Sequence, residues 1–504
     1  MSKRIETACV LGAGSAGLIT AVTLRRLLPS LQVRVVYSPD APVIGVGEST
    51  TAYLPKFLHD ILGLDRSEFF YRVEPTWKLG IRFQWGPPGD SHFNYGFENL
   101  MTFETKALRK PAAFYCAHDP RDAGPFSALM DRDLAPCLPT PEGLHLQHGS
   151  AYHIDNSKFL AYMRDKAEQF GVEFTTGKVV EAEQADTGHI TNLILADGRT
   201  LAADLFFDCS GFRSMLLSKY FDQPYVSYAD ALFCDRALVG DWQRDDTVQP
   251  YTLAETMPSG WCWRIDFMDH VNRGYVFCSE FCDEDQAADE MRTRNPQLGE
   301  DLELIKFPSG RLENYWVKNA VAIGNSAAFV EPLESSALHM AAETATVVCG
   351  VLRDADMRII PQVLPAINGI YRRKWDDIRD FLAVHYRFNQ RLDSPFWRHC
   401  RQETELGNAK PLIEMYRVAG PTRTCSEFIA PESIFQLEGY LTQLIGQRVP
   451  TDFSAELSED DRQSWARWQE GIRRSIAGAI PVREAVNIIR SQGVEWKSSS
   501  AAGA

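Results

Sequence analysis

The stretch Val10-Leu11-Gly12-Ala13-Gly14-Ser15-Ala16-Gly17-Leu18 decides the fold. The apolar run Ile5 to Leu11 predicts a short strand, and Leu18 to Leu28 carries apolar residues at helical spacing. The turn between them is GxGxxG. Its first glycine makes the tight turn, its second admits a pyrophosphate to the backbone, and its third lets helix and strand pack closely. The helix N-terminus then faces the anion. Val33 to Val36 predicts a second strand, which completes a βαβ unit with a parallel sheet within roughly thirty residues. Gly12, Ala13, Gly14, Ser15, Ala16 and Gly17 are therefore candidate contacts to a dinucleotide. The acidic residue that usually ends the second strand is missing, because positions 37 and 38 are Tyr and Ser and Asp40 comes late. The ribose contact falls to Ser38 or to the backbone.

Working outward, the 504 residues allow several domains and a large core. Hydrophobic residues make up 45% and charged residues 24%, the balance of a globular chain. With 52 basic and 67 acidic side chains the net charge is −15, which argues against a nucleic-acid partner. No apolar run is long enough to span a bilayer, so no membrane association is expected. Lys3 and Arg4 before the apolar Ala8 to Leu24 mimic a secretory signal, yet the three glycines mark that stretch as folded protein. The 11 cysteines are scattered without a CxxC pair, as expected of reduced thiols in a cytoplasmic protein. His145 and His148 have no obvious third ligand, and no metal is expected.

Further strands are expected at Asn192–Leu195, Leu201–Phe207, Trp261–Phe267, Gly274–Cys278 and Ala320–Ile323, and the texture turns helical from about Thr344. Ile370 to Gln390, Ser458 to Ala477 and Val482 to Ser491 carry that helical pattern. The expected class is α/β with domains interleaved in sequence. Residues 1–345 form a dinucleotide-binding module with an interleaved substrate-binding β region, 346–496 a helical region covering the substrate site, and 497–504 a disordered tail.

Two later segments bear on which dinucleotide is bound. Asp204-Leu-Phe-Phe-Asp208-Cys-Ser-Gly211 resembles the second nucleotide-contact segment of FAD-dependent hydroxylases. Val321-Ala-Ile-Gly324-Asn325 resembles their third, with Asn325 in place of the usual Asp. Their order after the GxGxxG implies FAD rather than NAD and a hydroxylase-type FAD-binding Rossmann-like fold, with Asp208, Gly324 and Asn325 as further contacts. No second GxGxxG offers a nicotinamide site, so the flavin is expected to be reduced elsewhere.

Five more stretches resemble the flavin-dependent halogenases of the tryptophan-halogenase family. They are Ile44-Gly45-Val-Gly47-Glu48-Ser49-Thr50, Trp77-Lys78-Leu-Gly80-Ile-Arg-Phe, Ser259-Gly-Trp261-Cys-Trp263-Arg-Ile265-Asp266, Phe329-Val-Glu331-Pro-Leu-Glu334-Ser335-Ser336, and Asp393-Ser-Pro-Phe-Trp397. The resemblance implies a two-component enzyme. Reduced FAD supplied by a separate flavin reductase, oxygen, and chloride or bromide give a hypohalous acid, which halogenates an electron-rich aromatic substrate beside a lysine.

Lys78 stands at that lysine's position and can hydrogen-bond the oxidant or form a haloamine. Glu334 is the matching carboxylate, able to orient the oxidant and take the proton lost on rearomatisation. Gly47, Glu48 and Ser49 belong to the loop between flavin and substrate. The backbone N–H groups of Ser336 and Ala337 are the implied halide donors. Trp261 and Trp263 alternate onto one strand face and are implied to keep substrate from the flavin; Asp266 replaces the motif's usual proline. His92, Phe93 and Tyr95, with Phe435 and Tyr440, are candidate contacts to an indole, phenol or related ring. A homodimer is compatible with the resemblance. An aromatic monooxygenase on the same fold is the alternative, and a non-catalytic flavin-binding protein a third reading.

Overall fold

The computed structural model describes residues 3–40, 47–98, 123–140, 143–146, 149–244, 246–452 and 458–492. The tail 497–504, His148 and residues 44–46 lie outside the described residues. The chain opens with β1 (Thr7–Leu11), α1 (Ser15–Leu27) and β2 (Gln32–Tyr37), followed by β3 (Thr76–Lys78), β4 (Gly80–Gln84) and β5 (Phe93–Gly96). Next come β6 (Ala151–Ile154), α2 (Asn156–Gln169), β7 (Glu173–Thr176) and β8 (Leu205–Asp208). A run of longer strands follows: β9 (Arg236–Gln243), β10 (Thr252–Met257), β11 (Gly260–Asp266), β12 (His270–Phe277) and β13 (Glu303–Lys306). The chain then continues through β14 (Trp316–Val317), β15 (Ala320–Ala322), α3 (Ser336–Asp354), α4 (Leu364–Phe388) and α5 (Gln436–Gly446).

Two compact units share the chain, each built from three separated segments. The first comprises Met1–Leu64, Asp155–Ala229 and Phe307–Asp376; the second Asp65–Ile154, Asp230–Lys306 and Asp377–Ala504. Interleaving was expected, but a boundary at 345/346 falls inside α3, which opens at Ser336. The helical texture read from Thr344 is thus the middle of a helix whose small residues, Ala341, Ala342 and Ala345, are buried.

The first unit holds a six-stranded sheet in the order β7-β2-β1-β8-β15-β14. All neighbours run parallel except the short β14, which returns antiparallel to β15. The helix α1 packs against α2 and α3, and its Gly17, Leu18, Ala21 and Val22 are buried. The apolar stretch from Ala8 to Leu24 that resembled a signal is therefore this unit's central strand and helix.

The second unit holds a seven-stranded sheet in the order β13-β9-β12-β11-β10-β4-β5. It is antiparallel except where β10 meets β4. Beside it β3 pairs antiparallel with β6, setting Thr76 opposite His153, Trp77 opposite Tyr152 and Lys78 opposite Ala151. β11 and β12 are buried along almost their whole length, Asn272 and Arg273 included, although both mix polar with apolar residues. No helix among the described residues is long and apolar enough to cross a membrane.

Candidate active site

In the first unit, the C-terminal ends of β1, β8 and β15 meet. The amide of Gly12 donates to the Val36 carbonyl (2.8 Å), that of Cys209 to Leu11 (2.9 Å) and that of Ile323 to Asp208 (3.0 Å). The three glycines of the turn divide their work as the motif requires. Gly12 has φ +117°, and a Cβ there would lie 2.3 Å from the Cys209 carbonyl oxygen. A Cβ on Gly17 would sit 2.0 Å from the Gly12 oxygen, so helix and turn are in direct contact. Around Gly14 there is no atom within 4 Å of a Cβ, and no side chain caps the helix that starts after it. Exposed amide donors at an uncapped helix start, next to open space, are what a pyrophosphate needs. The residues present fit FAD at this position.

Gly324 reaches the same place: with φ +74°, its Cβ would meet the Ala16 methyl at 2.6 Å. Asn325 follows it in a short 3-10 turn, Gly324–Ser326. The Ser15 hydroxyl donates to Asn156 (3.0 Å) and ties α1 to α2. Asp208 is fully buried, and its carboxylate accepts from the Ser210 amide (3.1 Å), the Ser210 hydroxyl (2.6 Å) and the Leu216 amide (2.6 Å). Its side chain is spent on shaping its own turn, so any cofactor contact there falls to the backbone.

The loop carrying Gly47, Glu48 and Ser49 is fastened to the start of α3. The Ser335 hydroxyl donates to Ser49 (3.0 Å), Thr51 bonds the His339 ring (3.0 Å), and Tyr53 stacks on that ring at 4.4 Å. Burial pushes the Glu48 carboxyl up to about 7. It pushes His339 down to about 4, so this imidazole is neutral. Glu334 closes the 3-10 turn before α3 and is buried.

Ser336 and Ala337 are the first two residues of a 19-residue helix that lacks a side-chain cap. Their amides are unpaired within the helix and lie at the positive end of its dipole, a physical basis for binding an anion. The left-handed conformation of this turn falls on Ser335, with φ +57°, rather than on Ala337. Ala337 therefore sits at the helix start without backbone strain.

In the second unit Lys78 is fully buried, and its Nζ lies 5.1 Å from the centre of the Phe97 ring. From Phe97 a line of rings continues: Tyr95 at 6.3 Å, Phe381 at 6.3 Å from Tyr95, then Phe435 stacked on Phe381 at 3.9 Å and Tyr440 edge-on at 4.9 Å. The Tyr440 hydroxyl donates to Asp377 (3.2 Å), and burial pushes the Asp377 carboxyl up to about 6. Tyr95, Phe435 and Tyr440 thus connect to Lys78 through Phe97 and Phe381, two residues the sequence reading passed over. Phe97 was within reach, being two positions beyond Tyr95 in the same alternation. Phe381 sits inside a 25-residue helix, and nothing local distinguishes it.

Phe93 stacks on Phe83 (5.2 Å) and His92 turns to Asp131 (3.4 Å). Neither is brought to Lys78 by these contacts.

Trp261 and Trp263 are buried in β11 with ring centres 6.1 Å apart. The Trp263 indole donates to Asn272 (2.8 Å) and lies over Gly274, where a Cβ would meet it at 1.9 Å. Asp266, in the motif's proline position, is completely buried between Arg244 and Arg264. It also accepts the Gln249 amide (2.9 Å), while its carbonyl takes the Thr76 hydroxyl (2.7 Å). The replacement is a built ion pair at the strand end that adjoins the start of β3.

A family model of tryptophan halogenases matches residues 7–461. The chain belongs to the tryptophan halogenase family. It is 34% identical over 449 residues to the tryptophan 7-halogenase KtzQ of Kutzneria sp. (strain 744), covering 83% of each chain. It is 30% identical over 451 residues to the tryptophan 7-halogenase RebH of Lentzea aerocolonigenes, again covering 83% of each. Among solved structures, MibH, a lanthipeptide tryptophan 5-halogenase, superposes with a TM-score of 0.89 at 35% identity, over 97% of this chain and 94% of that one. The fold is thus the hydroxylase-type FAD-binding fold of the flavin-dependent halogenases, and the enzyme is an FAD-dependent halogenase of an aromatic substrate. The monooxygenase reading is not favoured.

Proposed function

We propose that this halogenase acts on the indole of a tryptophan, using reduced FAD delivered by a separate flavin reductase. When bound, reduced FAD supplies the electrons by which oxygen and halide become hypohalous acid. The amides of Ser336 and Ala337 hold the halide at the start of α3, and the GxGxxG turn holds the pyrophosphate. At Lys78 the ammonium donates a hydrogen bond to the oxygen of the hypohalous acid and draws charge off the halogen. The indole carbon attacks the halogen, the halogen–oxygen bond breaks, and the departing hydroxide takes a proton from the Lys78 ammonium to leave as water. Glu334 accepts the proton from the ring carbon, which restores aromaticity. Trp261 and Trp263 supply fixed bulk that keeps the ring from the flavin.

The observation that carries this reading is the wholly buried Lys78 ammonium against the Phe97 ring. Burying a cation is costly unless its surroundings use it, and an aromatic face is both a partner for the ammonium and a surface for an indole. The names of the relatives support the indole, since a tryptophan 7-halogenase and a lanthipeptide tryptophan 5-halogenase both appear among them. Mass spectrometry of products formed with chloride or bromide from tryptophan, a tryptophan-containing peptide and a phenol tests it. Halogen isotope patterns on the tryptophan substrates are expected. Hydroxylated product formed without halide would return the monooxygenase reading.

A further inference from the structure

Residues directly opposite in an antiparallel pair, and residues two apart on one strand, share a face. Thr76 and Lys78 on β3 therefore face the same side as His153 and Ala151 on β6. Ala151, opposite Lys78, offers only a methyl group, and the imidazole of His153 is the polar side chain that β6 contributes to that face. His153 is fully buried. Its Nε2 lies 2.9 Å from the Thr252 hydroxyl on β10, and its Nδ1 lies 3.5 Å from the Thr76 hydroxyl. The Thr76 hydroxyl in turn donates to the Asp266 carbonyl at the end of β11. One ring thereby links β3, β6, β10 and β11.

Both ring nitrogens meet hydroxyls rather than carboxylates. Asp266 presents its carbonyl to this network, and its carboxylate is taken by Arg244 and Arg264. Burial, and then the charge of Lys78, hold His153 well below the usual imidazole range.

We infer that His153 is the positioning residue for Lys78: a buried, hydrogen-bonded wedge between Thr76 and Thr252 that fixes the strand presenting the lysine. Through Lys78 it decides whether hypohalous acid is spent on the aromatic ring or lost to water. The inference rests on the role of Lys78 proposed above.

The test compares wild type, His153→Leu, His153→Gln and Lys78→Met as full-length FAD-loaded enzymes with a flavin reductase, NADH, bromide and tryptophan. Brominated product per reduced FAD oxidised is measured, along with hypobromous acid captured by a chemical trap in solution. His153→Leu removes both hydrogen bonds. It is expected to lower the coupled yield by about ten-fold or more and to raise the trapped oxidant, with KM for tryptophan within about two-fold. His153→Gln, which keeps a donor and an acceptor, is expected to recover most of the yield. A His153→Leu yield within about two-fold of wild type, or equal losses in the Leu and Gln variants, overturns the inference.

Where His153→Leu does not fold, Thr252→Val removes the Nε2 partner alone, and an unchanged coupled yield there overturns it equally. Lys78→Met keeps the two ideas apart. Bromination surviving in that variant refutes the lysine's role and the inference with it, whereas a dead Lys78→Met beside a fully coupled His153→Leu refutes the inference alone.

Discussion

Asp266 shows how one substituted residue alters a motif without emptying it. Its carboxylate neutralises Arg244, whose side chain is only 2% exposed, and Arg264. The other partner of Arg244, Asp246 at 2.6 Å, is exposed to solvent, so losing Asp266 takes away the buried counter-charge, which costs far more than the pair contributes. Asp266→Ala is therefore expected to destabilise the protein by about 3–5 kcal/mol in denaturant unfolding; a loss under about 1 kcal/mol would mean that water reaches Arg244.

His339 gives a pH dependence of definite sign. It binds a proton near pH 6.5 when unfolded but only near 4 when folded. Between those values the unfolded state holds more protons, so its contribution is whole above about pH 6.5 and is lost as pH falls toward 4. The fall in melting temperature from pH 7.5 to 5.5 should be smaller in His339→Gln than in wild type. At this scale the sequence shows residues whose neighbours in the chain form a motif, such as Lys78 and Glu334. It hides those recruited across strands or helices, such as His153, Phe381 and His339.

The elements were legible where local chemistry and tertiary use agree. β1, the glycine turn and α1 follow from glycine sterics and apolar periodicity alone, and contrasting substitutions separate their roles. Gly17→Ala forces a methyl to within 2.0 Å of the Gly12 carbonyl oxygen. It is expected to cost about 2–3 kcal/mol of stability and to abolish FAD binding. Gly14 has an ordinary φ of −76° and open space around it. Gly14→Ala should leave the apoprotein's melting temperature within about 2 °C of wild type while weakening FAD binding about ten-fold or more, measured by titration. An apoprotein destabilised by Gly14→Ala would contradict the division of labour among the three glycines. The start of α3 was less legible: the helical pattern was recognised from Thr344, eight residues late, because Pro332 to Ala337 read as a loop motif rather than a helix entry. The turn's left-handed residue is a serine, which no propensity rule selects.

At the scale of the whole chain, composition and the order of motifs indicated an interleaved α/β enzyme, yet the unit boundaries were out of reach. Each unit gathers three segments separated in the chain by whole segments of the other unit, and the contacts that join them leave no mark on any single stretch. A consequence follows for truncation. The fragment 1–345 cuts α3 in half, removes the rest of the first unit's last segment and deprives the second unit of Asp377–Ala504. It is expected to show no cooperative thermal transition and no FAD binding, and a sharp transition in that fragment would show that the first unit folds without those segments.

In the proposed function, oxidant made with the flavin is consumed at Lys78. The most direct test counts reduced FAD oxidised and halogenated tryptophan formed, side by side, for wild type and Lys78→Ala. Lys78→Ala is expected to oxidise reduced FAD at about the wild-type rate while halogenated product falls by about a thousand-fold or more. Halogenation at a wild-type rate in Lys78→Ala would contradict it.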